Sequence, residues 1–178
     1  MSNLKFSYML SIALTAAMIP ASAMAGNHAH KSTVVSAAVN SPDHTTLVAA
    51  VTAAGLAETL SGKGPFTVFA PTNAAFGKLP AGTVDTLLLP ANRDQLRSVL
   101  TYHVVPGRHD AASILRQIRA GGGKATLRTV QGEDLTLSLV DGKVAVMDKR
   151  GGTATVTTAD LRQGNGIIHV TDAVSLPG

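Results

Sequence analysis

The spacing of apolar residues changes once along the chain, at Gly121-Gly122-Gly123, and that change limits the folds open to it. Before the glycines, apolar side chains recur at intervals of three and four, as amphipathic helices require. After them they alternate with polar ones, as half-buried strands require. The strongest alternation is "DLTLSLV", "DG", "KVAVM", where Leu135, Leu137 and Leu139 alternate with Thr136 and Ser138. Asp141-Gly142 suits a two-residue hairpin turn. "GTATVTTADL" and "GIIHVTDAVSL" supply two further strands. Helices first and strands afterwards predict one α+β domain with helices packed on an antiparallel sheet or sandwich.

The first half contains specific stops and starts. "HTTLVAAVTAAGLAETL" predicts a helix with Thr45 or Thr46 as cap, Leu47, Val48 and Val51 on one face, and Gly55-Leu56 as a glycine stop. "PFTVFAP" reads as a short strand, and in "PTNAAFGKLP" Thr72 or Asn73 is expected to cap a short helix ending near Gly77. A helix after Pro90 has Asn92 as its expected cap, with Gln95 three residues on, and an apolar side of Leu96, Val99 and Leu100. His103, seven residues after Leu96, is expected to point inward, with Pro106 and Gly107 ending the helix. "DAASILRQIRAGGGK" gives one more helix, stopped by its glycines.

The chain opens with one basic residue, Lys5, then the apolar run "FSYMLSIALTAAMIP" and the small residues "ASAMA". This is the pattern of a secretory signal peptide over 1–25, cleaved after Ala25 in preference to Ala23. Residues 26–32 read as a flexible lead-in and 33–178 as the domain. Loss of the leader would leave 153 residues (178 minus 25) and lower the net charge from +4 to +3, since only Lys5 is removed. With no cysteine there is neither a disulfide nor a lipid-anchored thiol. Nothing after residue 25 is apolar for long enough to cross a bilayer. The expectation is an exported protein, periplasmic or secreted, without a membrane span.

Three strings then combine in order. "GPFTVFAPTNAAFGKLP" (64–80) resembles the first signature box of fasciclin domains, "LTYHVVPG" (100–107) the tyrosine-histidine segment between the boxes, and "NGIIHVTDAVSLP" (165–177) the second box. The resemblance implies a wedge-shaped β-sandwich with surrounding α-helices, in a secreted or surface protein concerned with adhesion, matrix attachment or host association. It implies no enzyme and no cofactor. Phe69, Pro71, Thr72, Asn73 and Phe76 of the first box, and Asn165, Gly166, His169 and Asp172 of the second, are expected to be framework. The first box commonly carries an aspartate where this chain has Asn73, and the chain has no Arg-Gly-Asp.

By the same resemblance Tyr102, His103, Val104 and Val105 form the candidate partner contact. Tyr102 lies about 100° around the helix from the inward histidine and is expected to be partly exposed. Asp172 falls on the strand face of Ile168, Val170, Val174 and Leu176, which predicts a buried, paired carboxylate tying the strand to the first box; His169 falls on the opposite face. Arg108, Arg116, Arg119, Lys124 and Arg128 concentrate positive charge that suits an acidic polysaccharide or anionic envelope surface. Nucleic acid is not expected, because no aromatic residues are interleaved for base stacking. An enzyme is not expected either, because the chain has no Gly-x-Ser-x-Gly elbow and no cysteine. The leading expectation is an adhesion or interaction domain for a protein or polysaccharide partner. The alternative is a periplasmic metal or small-ligand binding protein: cleavage after Ala25 would expose Gly26, Asn27 and His28 as a nitrogen set for Cu(II) or Ni(II), with His30 as a spare donor.

Overall fold

The computed structural model describes residues 32–178. The expected leader and the candidate metal residues Gly26, Asn27 and His28 lie outside the described residues. In chain order the elements are α1 (Val34–Val39), α2 (Thr45–Ala53), α3 (Ala57–Ser61), β1 (Phe66–Pro71), α4 (Asn73–Gly77), α5 (Thr83–Leu88) and α6 (Arg93–Tyr102). There follow β2 (Val104–Pro106), α7 (Ala111–Ala120), β3 (Lys124–Arg128), β4 (Asp134–Val140), β5 (Lys143–Met147), β6 (Thr153–Gln163) and β7 (Gly166–Thr171).

The strands follow the order β2-β1-β7-β6-β5-β4-β3. β4 and β5 form the expected hairpin, with Val140 opposite Lys143 and positive φ at both Asp141 (51°) and Gly142 (76°), as a two-residue turn of matching twist requires. β6 serves two layers. Its first residues, Thr153–Thr155, pair with β5, and from Val156 onward it pairs with β7, with register shifts after Val156 and after Thr158. The two ends of the order approach where Val130 N–H donates to Val104 O (2.8 Å), so the sheet nearly closes into a barrel-like sandwich with helices around it.

Two sequence expectations fail here. The sheet is mixed, because β1 and β7 run parallel in register from Phe66–Gly166 to Pro71–Thr171. The helix after Pro90 ends at Tyr102, well before Pro106, and Val104–Pro106 pairs antiparallel with β1. The cause is local: the His103 ring bonds to Val99 O, and the β-branched Val104 and Val105 then suit an extended edge.

The core has two parts, and β1 separates them. Val68 and Ala70 pack toward the helices with Leu47, Leu60, Leu100 and Ile168. Phe69, between them, packs the other way with Tyr102, Ile114, Leu135 and Leu137. Alternation along a strand covered on both faces leaves no exposed side, so β1 is buried from Thr67 to Pro71 and β7 throughout.

Candidate functional site

The parallel β1–β7 pair sets the two boxes side by side, and their side chains chiefly bind backbone. Asn165 Oδ1 accepts from Val34 N–H (2.9 Å) at the start of α1, while Nδ2 donates to Leu60 O (2.8 Å) in the last turn of α3 and to Gly62 O (3.0 Å) just after it. Gly166 follows because a Cβ there would strike the Phe66 carbonyl oxygen. Thr72 caps α4 through Ala75 N–H (3.2 Å), as one of the two expected caps. Asn73 instead reaches a different helix: Oδ1 accepts from Thr46 N–H (3.0 Å) at the start of α2, and Nδ2 donates to Pro42 O (3.0 Å). The cap expected from Thr45 or Thr46 is therefore supplied from the first box. Asn92 likewise makes no cap; its Nδ2 donates back to Thr86 O (2.7 Å).

The tyrosine-histidine segment is internal. Tyr102, His103, Val104 and Val105 are 0%, 3%, 2% and 2% exposed, which corrects the partial exposure expected of Tyr102 and leaves none of the four side chains on the surface. A helix with one buried face would expose Tyr102, but the end of α6 lies between the two core clusters and is covered from both sides. The Tyr102 hydroxyl donates to Asp134 O at 3.3 Å, and burial raises its pKa above the usual phenol value. His103 points inward as expected. Its Nδ1–H donates to Val99 O (2.8 Å) and its Nε2 accepts from Ser175 N–H (3.0 Å), which fixes a neutral tautomer; burial lowers its pKa.

His169 is also buried, at 1% exposure, stacked on Phe69 with ring centroids 5.6 Å apart. Its Nε2–H donates to His109 O (2.8 Å), and burial depresses its pKa. Asp172 departs from expectation. β7 ends at Thr171, so the alternation that predicted burial stops one residue early, and the Asp172 side chain is 40% exposed. It still makes the expected link, accepting from Thr155 N–H (2.7 Å) and facing Lys78 Nζ of the first box at 3.5 Å. The buried carboxylate belongs instead to Asp148, which accepts from Arg150, Gly152 and Leu176 N–H at 3.0, 2.7 and 2.9 Å. Its signal in the sequence is "DKRGG", an aspartate turn closed by glycines.

The side chains left exposed are of another kind. Arg116, Arg119, Lys124 and Arg128 project from α7 and the edge strand β3. Arg128 faces Asp134 Oδ1 at 3.6 Å in an exposed pair, and Arg108 spends its guanidinium on Gln163 O (3.3 Å) and Gly164 O (3.1 Å). On the adjoining outer sheet face Thr126 pairs with Thr136 and Lys124 with Ser138, a band of hydroxyls beside the cations. Among the described residues no cluster of three or more histidine, aspartate or glutamate side chains is placed to hold a metal ion.

The fasciclin domain family model matches residues 42–177. The chain belongs to the fasciclin domain family. It is 52% identical over 145 residues to protein sll1483 of Synechocystis sp., covering 82% of this chain and 73% of that one. Identity to immunogenic protein MPB70 of Mycobacterium bovis is 37% over 149 residues, covering 81% and 68%. The fold matches a fasciclin domain pair from the insect cell adhesion molecule Fasciclin I with a TM-score of 0.71, 18% identity, and coverage of 80% of this chain and 50% of that one. In this fasciclin domain the asparagine at 73 does what an aspartate cannot, because its amide donates to Pro42 O while its oxygen caps α2. A serine-histidine pair does occur, Ser41 Oγ to His44 Nδ1 at 2.8 Å, with the His44 ring buried.

Proposed function

We propose that residues 33–178 form an exported adhesion or interaction domain, released from a leader ending at Ala25, that binds an acidic polysaccharide or anionic protein at the cell envelope or matrix. Membership of the fasciclin family supports the class, and the insect neighbour is itself a cell adhesion molecule. The observation that carries the surface is the burial of Tyr102 to Val105 together with the exposure of Arg116, Arg119, Lys124 and Arg128. The tyrosine-histidine segment then acts as a clamp between α6, β4 and the chain end, and the contact moves to the cationic α7–β3 edge with its hydroxyl-bearing face. Attraction across such a surface is screened by salt.

The test compares attachment of wild-type cells, a deletion strain, and the deletion carrying a folded Arg116→Glu/Lys124→Glu variant. Deletion is expected to weaken attachment, and the charge-reversed variant is expected not to restore it. Unchanged attachment on deletion would reject the adhesive reading; full rescue by the variant would reject this surface.

A further inference from the structure

The helical side of the β1–β7 layer encloses a cavity of about 170 Å³. Val34 and Val35 of α1, Leu47 and Val51 of α2, and Val68 and Ile168 of the sheet are among the residues of its wall. Among the described residues no charged side chain lines it, and the polar side chains that do are already engaged. Both His103 ring nitrogens are committed to backbone, and Thr52 donates its hydroxyl proton to Val48 O (2.8 Å). A charged group placed inside would lose its water and find no counter-charge. An apolar cavity of comparable size, about 150 Å³, stays dry and admits a benzene-sized hydrocarbon.

The cavity also has a way in. α1 is only six residues long, its Val35 and Ala38 are half-buried, and Val39 beside them is 58% exposed. An apolar group longer than the cavity can therefore continue past the α1 rim. We propose that this cavity is a binding site for an uncharged apolar ligand, an aromatic ring or the end of an aliphatic chain, entering between α1 and α2. The inference stands apart from the adhesive reading, since none of the cationic residues on α7 and β3 lines the cavity.

Toluene titrated into the full chain tests it, read by thermal unfolding and by the NMR signals of the His103 ring. At ten times its dissociation constant the melting temperature is expected to rise by roughly 3–6 °C, with a shift of the His103 signals. Ala38→Leu fills the cavity from α1 and is expected to stay folded and lose the response. Ala49→Leu, on the exposed side of α2 and outside the lining, should keep it. If Ala38→Leu does not fold, Ala57→Val fills the space from α3 instead. No rise and no His103 shift up to the solubility limit of toluene, or an equal rise in the filled variant, would overturn the proposal.

Discussion

The two sides of the β1–β7 layer are both apolar and are packed differently. Toward the sandwich, Phe69, Tyr102, Ile114, Ile118, Leu135 and Leu137 interlock at 0–1% exposure. Toward the helices, alanines, valines and leucines on short helices surround a cavity of about 170 Å³, to which no member of the sandwich cluster contributes. Long strands present regular rows that large side chains can fill, whereas short helices meeting at several angles cannot close every gap with small ones. The tight side is framework, and the loose side holds the cavity.

The same substitution on each side should give unequal losses. Leu137→Ala should cost about 5 kcal/mol and Leu47→Ala about 3 kcal/mol in urea unfolding, because Leu47 already borders empty space and has fewer contacts to lose. Equal losses would mean that the two sides are packed alike.

Acid tests both sides together. Burial lowers the pKa of His44, His103 and His169 below the ordinary 6.5. The unfolded chain then binds protons that the folded one refuses. Stability is therefore full above about pH 6.5 and falls as the pH drops below it, by up to about 1.4 kcal/mol per pH unit for each histidine until its folded pKa is reached. Unfolding midpoints measured between pH 7.5 and 5 should follow that slope, and a flat profile would show that these rings accept protons in place.

The smallest effect is expected at the layer's edge. Asp172→Ala should cost about 1 kcal/mol, since it removes one charge-assisted hydrogen bond from Thr155 N–H, and the Lys78 contact is exposed. A melting temperature unchanged from wild type would show that the link carries no stability.

Much of the local structure was legible. The Asp141-Gly142 hairpin, the Thr72 cap, the inward His103 and the stop at Gly55 all follow from neighbours in sequence; at that stop Leu56 N–H returns to Val51 O (3.0 Å). The second box marks Asn165 and Gly166, but sequence does not show what they contact, because Val34 and Phe66 lie far away in the chain. Asp172 differs from expectation for a local reason, the end of β7 one residue earlier, and the turn chemistry at Asp148 does not reveal its burial.

From sequence alone come the main helices, the β4–β5 hairpin and the family, because periodicity and capping act within a few residues, but not the strand Val104–Pro106, which its pairing with β1 sets. Only the tertiary structure decided which opposite faces are covered as well. That is why Tyr102 is interior, why His169 is buried on the far side of its strand, and why a cavity remains beneath α1: each depends on how closely separate segments meet, a property of packing that no single stretch of chain contains.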